Sequence, residues 1–299
     1  MTAMQNGPFL VTGASGQLGR RVVELLLEGG AGPVIATTRS VDKLTRLAAQ
    51  GIEVRSADFN NPGGLKNAFA GAKRLLIIST DDLEPGKRLV AHNAAIEAVV
   101  AAGVEHIVYT SLTNPGPDSP ITFAVDHRET EALLVESGIP HTILRNNLYT
   151  DLFLMSAPQA IKSGQLFAAT GQGRAGYVTR EDCARAAAAA LMRETETKTY
   201  DVTGPDLVSQ ADLAAILSDL SGKTIAYVPI TVDDLRSGMI ANGLPPTMAE
   251  AFASFDEAIA KGHMAVSTNA VKDLTGKAPA SVRDFLGKNA ASLLEPGAA

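Results

Sequence analysis

The sequence has no tryptophan, a single cysteine and few aromatic residues of any kind, with nine phenylalanines and five tyrosines in 299 residues. One thiol, Cys183, excludes an internal disulfide framework and a multi-cysteine metal site, and no metal is expected. No apolar run approaches the roughly 18 residues of a membrane span. Even the alanine-rich stretch Ala184 to Leu191 is too short, and it reads as a helix packed tightly on a neighbour. Positive charge is also scarce: 26 Lys and Arg face 32 Asp and Glu, a net charge of −6 with no basic run. Binding to nucleic acid by phosphate neutralisation is therefore disfavoured. Met1 to Pro8 has neither the basic segment nor the apolar core of a secretory leader. A cytoplasmic protein without a membrane anchor is the expectation.

What is present describes a packed chain, 45% hydrophobic and 19% charged, long enough for one large or two modest domains. Cys183 falls early in a predicted helix. A helix N-terminus can lower a thiol pKa, but a plain packed cysteine is the expectation.

The chain is organised around Phe9 to Val23. A short apolar run leads into Gly13, Gly16 and Gly19, and an amphipathic run follows at once. This is the order strand, tight turn, helix. Gly13 allows the turn, Gly16 lets the main chain approach a pyrophosphate, and Gly19 lets the helix pack closely on the strand. The helix begins with free N–H groups and the positive end of its dipole facing the phosphates. A second buried strand, Pro33 to Ser40, ends beside the expected adenosine ribose. A site for NAD wants an acid there; this chain offers Arg39, with Ser40 beside it and Lys43 one turn on. A guanidinium can pair with a 2′-phosphate that a carboxylate would repel. The cofactor expected is NADP(H).

A helix from Val41 to Ala49 and a short strand from Ile52 precede Asp58 and Phe59, placed to meet the adenine edge and face, although Asp58 can equally cap a turn. Strand four, Arg74 to Thr80, is an unbroken apolar run of the kind a sheet covered on both faces needs. It ends in Ser79 and Thr80, where ligands sit in open α/β sheets. A helix from about Lys87 to Ala102, a strand His106 to Ser111, a helix Phe123 to Ser137 and a strand His141 to Asn146 follow. Such alternation gives a parallel, doubly wound, Rossmann-like α/β sheet. Beyond Asn147 the pattern loosens into a smaller, mostly helical portion. In it, Thr179 caps a helix to Leu191, Tyr200 to Thr203 forms a strand, and Ser209 and Asp212 make a capping box. The expected division is residues 1–150 for the cofactor and 151–299 for a substrate portion over the carboxyl edge of the sheet.

Thr12 to Gly19, together with Ala57 to Asn60, His106 to Ser111, His127 to Glu131 and Leu144 to Tyr149, resembles the NmrA-like group of atypical short-chain dehydrogenases/reductases. Within it the likeness is to the branch of type 2 NAD(P)H:quinone oxidoreductases and triphenylmethane reductases. The resemblance implies NADPH as hydride donor, with Gly13, Ser15, Gln17, Leu18 and Arg39 on the cofactor. It also implies Asp58 and Phe59 at the adenine, Ser79 and Thr80 on the ribose and phosphate side, and Asn147 towards the nicotinamide.

The chain departs from the usual Tyr-x-x-x-Lys pair of short-chain dehydrogenases, in which tyrosine protonates a carbonyl oxygen. The residues at that spacing are Phe123 and His127. Phenylalanine has no proton to give. A quinone does not need one, because hydride addition leaves a phenolate with a pKa of roughly 10, and a carbocationic dye needs none. His127, Tyr149 and Ser111 are the candidate hydrogen-bonding groups at the reacting centre. Leu148, Tyr149, Leu152 and Phe153 suit an apolar or aromatic small molecule. The expectation is an NADPH-dependent reductase of quinones or similar electrophiles, and a homo-oligomer is compatible with it. Two alternatives stand beside it: a redox-sensing regulator that binds NADP(H) without turnover, and a specialised reductase or isomerase of a biosynthetic or aromatic-degradation intermediate.

Overall fold

The structure is a computed structural model, and it describes residues 7–294. Six of the eight residues read for a leader, Met1 to Asn6, lie outside the described residues. Among those described, no helix is long and apolar enough to cross a membrane.

The first half alternates as the sequence pattern predicts. In chain order it comprises β1 (Phe9–Val11), α1 (Gln17–Glu28), β2 (Val34–Thr38), α2 (Thr45–Ala48), β3 (Glu53–Ser56), α3 (Leu65–Phe69), β4 (Arg74–Ile77), α4 (Lys87–Ala102), β5 (His106–Leu112), α5 (Ala124–Glu136) and β6 (His141–Asn146). The remainder holds α6 (Phe153–Ser163), β7 (Gln165–Ala168), β8 (Arg174–Ala175), α7 (Arg180–Arg193), β9 (Lys198–Val202), β10 (Val208–Ser209), α8 (Gln210–Ser221), β11 (Ala226–Pro229), α9 (Val232–Ala241), α10 (Pro246–Ala260), α11 (Ala270–Thr275), α12 (Val282–Lys288) and α13 (Ala290–Leu294).

Seven strands form one parallel sheet in the order β3-β2-β1-β4-β5-β6-β9. β1, β2, β4 and β5 are buried along their whole length, as strands covered on both faces must be. One face packs Val11, Leu76, Val108 and Leu144 against α1 and α7. The other packs Leu10, Leu75, Ile107 and Tyr109 against α3, α4 and α5. In α7, Ala184 and Ala186–Ala190 are buried, and the absence of bulk lets α1 lie close against it. Arg74 at the start of β4 donates to the carbonyls of Leu191, Ala190 and Glu194. A cation thus meets the negative end of the α7 dipole. Thr179 Oγ1 accepts the Asp182 amide at 3.0 Å, and the Ser209–Asp212 capping box is formed.

The central sheet draws on both sides of residue 150. β9 pairs parallel with β6 as the seventh strand, and α7 covers the sheet beside α1. The sheet therefore continues to Val202, and α11 returns to pack on α7. Between β6 and α7 the chain leaves to build α6, β7 and β8. β9 escaped notice as a sheet member because its exposed, polar beginning marks an edge strand and about fifty residues separate it from its partner. The second portion has its own core, in which Phe153, Tyr177, Leu213, Leu217 and Leu286 are buried, with β10 paired antiparallel to β8 and β11 parallel to β7. It meets the carboxyl ends of β5 and β6: Asn114 Nδ2 donates to His263 O at 2.6 Å, and Phe123 and Phe255 stand edge to face at 5.8 Å.

Candidate functional site

Gly13 has φ +61°, the left-handed region that glycine enters without steric cost. Its carbonyl accepts the Gly16 amide at 2.9 Å and closes the turn. A Cβ at Gly19 would lie 2.4 Å from Gly13 O, so the helix can sit this close to the turn only with glycine there. α1 follows its N-cap Gly16 with no side-chain cap and no acid in its first turn. Its leading N–H groups and dipole are thus directed at whatever anion lies against the turn.

A cavity of about 440 Å³ opens from this turn across the carboxyl ends of β1 to β4. Of the residues expected on the cofactor, Gly13, Ser15, Gly16, Arg39, Lys43, Asp58, Phe59, Ser79 and Thr80 line it. Gln17 and Leu18 do not: Gln17 is exposed on the first turn of α1, and Leu18 packs against the hydrophobic core. Thr38 Oγ1 donates to Ser15 Oγ at 2.8 Å and ties β2 to the turn. Asp58 does both things open to it, lining the cavity and accepting the Asn60 amide at 3.0 Å. Phe59 is braced edge to face on Phe69 at 6.4 Å. Arg39 Nη2 lies 3.8 Å from Asp81 Oδ1, with both side chains mostly exposed. Long, loose and solvated, that contact leaves the guanidinium free to turn to a phosphate.

The wall after β4 is pinned by side chains from three elements. The Ile78 amide donates to Thr12 Oγ1 (2.9 Å), Ser79 to Thr110 Oγ1 (3.0 Å) and Thr80 to His92 Nε2 (3.0 Å). The sequence reading missed these supports, and also Thr38, Asp81 and Asp82 in the lining. Asp81 and Asp82 directly follow Ser79 and Thr80, so their position after β4 was a usable signal. His92 gave none, because its partner is a main-chain amide brought over by the fold.

The groups expected at the reacting centre are not gathered in this cavity. Ser111 is 5% exposed and donates to Glu131 Oε1 at 2.6 Å. Glu131 also receives Arg145 Nε (3.0 Å) and Nη2 (2.6 Å), so Ser111 is tied to a part-buried ion pair. Asn147 is 2% exposed. Its Nδ2 donates to Met264 O at 3.1 Å and its Oδ1 accepts the Leu148 amide at 2.8 Å, which fastens the two portions together. Tyr149 is half-buried, with its ring beneath the Arg180 guanidinium at 5.0 Å and its hydroxyl 3.4 Å from Asn146 Nδ2. Burial holds its phenol above the ordinary range. His127 is 3% exposed, with Nδ1 2.8 Å from the Tyr109 hydroxyl. Burial and then the Arg88 charge keep it well below the ordinary histidine range, so the ring is neutral. Cys183 is buried, and its burial raises the thiol; it is packed, not activated. A second cleft of about 660 Å³ lies between the loop after β5, the Glu131–Arg145 pair and Lys261–His263. No sequence signal pointed to it, since its sides lie more than a hundred residues apart.

A glycine turn on β1, an uncapped helix behind it and a cavity over the strand ends define a dinucleotide-binding protein. The residues fit that group: the amides face a pyrophosphate, Phe59 offers an aromatic face, and Arg39 and Lys43 stand at the far end. A family model described as NAD(P)H-binding matches residues 13–194, and the chain belongs to this family, in its NmrA-like oxidoreductase branch. Quinone oxidoreductase 2 of Escherichia coli is 37% identical over 268 residues, 89% of this chain and 93% of that protein. The NAD(P)H azoreductase of Xenophilus azovorans is 28% identical over 285 residues, 95% of this chain and 98% of its own. The crystal structure of the E. coli NADPH-dependent quinone oxidoreductase with NADPH matches with a TM-score of 0.88 at 35% identity, covering 96% of this chain and all of the other. Triphenylmethane reductase of Citrobacter sp., complexed with NADP(H), matches with a TM-score of 0.87 at 36% identity, covering 94% of this chain and 99% of the other.

Proposed function

We propose that this chain is an NADPH-dependent reductase of quinones or similarly conjugated aromatic electrophiles. The observation that carries the reading is Phe123. It stands at the head of α5, where an ordinary short-chain dehydrogenase has its proton-donating tyrosine, and is held between the Arg88 guanidinium at 4.6 Å and Phe255 at 5.8 Å. A site so built has no acid for an alkoxide and suits an acceptor that leaves a stabilised phenolate or no anion at all. The quinone, azo and dye reductases among the relatives agree with this choice.

When bound, the nicotinamide supplies the hydride. The chain's own groups bind and orient. The α1 amides hold the pyrophosphate, Arg39 and Lys43 hold the 2′-phosphate, and Phe59 covers the adenine. His127 gives a hydrogen bond from its neutral ring to the oxygen that gathers charge, and Tyr149 packs at the mouth of the substrate portion. Ser111 and Asn147 hold the framework.

Loss of NADPH absorbance across a panel of quinones, conjugated aldehydes and cationic dyes, with NADH in parallel, tests the proposal. Turnover on quinones or dyes, faster with NADPH, is expected. Tight NADPH binding with no turnover on any acceptor would refute it in favour of a redox-sensing regulator.

A further inference from the structure

Beneath the wall after β4, between α4, α5 and β5, lie His92, Tyr109, Thr130 and His127, each between 0 and 3% exposed. Their hydrogen bonds have directions that can be worked out from one fixed end. The Thr80 amide can only donate, and its acceptor is His92 Nε2 at 3.0 Å, so that nitrogen carries no proton. The neutral His92 ring then carries its proton on Nδ1. His92 Nδ1 faces Thr130 Oγ1 at 3.0 Å, and Thr130 passes its own proton to the Asp126 carbonyl at 2.6 Å.

The Tyr109 hydroxyl lies between two ring nitrogens, 3.4 Å from His92 Nδ1 and 2.8 Å from His127 Nδ1. The first already bears a proton and cannot accept another. Tyr109 also meets the Thr130 hydroxyl, but Thr130 Oγ1 already accepts from His92 Nδ1–H. The open lone pair of His127 Nδ1 at 2.8 Å is therefore assigned the Tyr109 proton, and the proton of His127 then sits on Nε2. That nitrogen has no hydrogen-bond partner among the described residues. The surroundings favour neutral rings throughout. Burial, and secondarily Arg88, lowers His92 to about 3 and His127 well below its ordinary value, and burial raises the Tyr109 phenol.

We propose that this buried chain locks His127 as the neutral Nε2–H tautomer, which makes Tyr109 and His92 positioning residues for the reduction. This rests on the reading of His127 as hydrogen-bond donor at the reacting centre. The opposite tautomer would aim a lone pair at a developing anion and repel it; the Nε2–H tautomer aims a preorganised dipole at it. Because His92 also holds the Thr80 amide, the same chain joins the cofactor wall to the donor.

The test is long-range ¹H–¹⁵N correlation NMR on the full chain labelled with ¹⁵N-histidine, with and without NADP⁺. The wild type is expected to show His92 protonated on Nδ1 and His127 on Nε2. Tyr109→Phe keeps the ring but removes the proton, so His127 becomes a tautomer mixture. Turnover should then fall by about 2–12-fold, the worth of one neutral hydrogen bond, with KM for NADPH within about twofold. A His127 protonated on Nδ1 in the wild type, which needs no variant to measure, would overturn the proposal. So would a Tyr109→Phe loss of the same size in a His127→Ala background, because Tyr109 would then act through packing. Full turnover in His127→Ala, with the tautomers as assigned, would remove the donor role and leave the reductase activity standing. Absence of NADPH turnover in the wild type would strike the reductase reading and not the tautomers.

Discussion

Replacing Arg39 by alanine should separate the two nicotinamide cofactors. The guanidinium lines the cavity with Ser40 and Lys43, and its ion-pair partner among the described residues, Asp81, is 3.8 Å away and itself exposed. A hydrogen bond to a charged group is worth about 1.5–3 kcal/mol, which corresponds to roughly 10–150-fold in affinity. The side chain is 64% exposed, so solvent screening brings the expectation to the lower part of that range, about 10–30-fold in Kd for NADPH. NADH has no 2′-phosphate and should change by less than about threefold, since one solvated contact is all it stands to lose. Arg39→Asp should widen the gap by adding repulsion. Fluorescence titration with each cofactor measures both constants, and the NADPH penalty should shrink as salt is raised. Equal weakening of NADPH and NADH would refute the assignment of Arg39 to the phosphate. Asp81→Asn supplies a counter-check: it frees Arg39 from an exposed ion pair worth at most about 1 kcal/mol, so NADPH should bind up to about fivefold tighter.

Three further outcomes follow from packing and burial. Gly19→Ala places a Cβ 2.4 Å from the main-chain oxygen of Gly13; overpacking of about 1–3 kcal/mol or more should lower Tm and abolish dinucleotide binding, and an unchanged Tm would contradict the close approach. His92, lowered to about 3, and His106, lowered to about 4, are neutral in the fold, as is His127. The unfolded chain takes up protons near pH 6.5 that the folded chain refuses. Their stabilisation is thus whole above about pH 6.5 and is lost at about 1.36 kcal/mol per pH unit per residue as pH falls towards the folded values, which denaturant titrations from pH 7 to 4 would measure. Asp256 behaves in the opposite sense: burial raises it to about 6, so its contribution is whole below about 3.8 and is lost as pH rises through 6. Asp256→Asn retains an oxygen for the Ala169 amide; it should be more stable than wild type at pH 8 by on the order of 1–3 kcal/mol, with the difference closing below pH 4.

The parts of this protein that its sequence determined are those where cause and effect lie within one strand–turn–helix unit. Gly13, Gly16 and Gly19 act on each other across six residues, and Arg39 follows its strand directly, so spacing alone carries the turn and the placement of Gly13, Gly16 and Arg39 in the cavity. The strands β1, β2, β4 and β5 were legible because burial on both faces demands unbroken apolar runs. The buried alanines of α7 were legible for a similar reason, since a helix without bulk has to lie against something.

Only the tertiary structure decided where the remaining hydrogen bonds go. Asn147 gives no local sign that its amide will reach Met264 O, 117 residues away. Ser111 reads as a free hydroxyl until α5 brings Glu131 to it at 2.6 Å. β9 reads as a strand of no fixed address until β6 offers its open edge. A polar side chain has the same local signature whether it serves a ligand or the framework, because the free energy of burying it is settled by whichever partner the fold delivers.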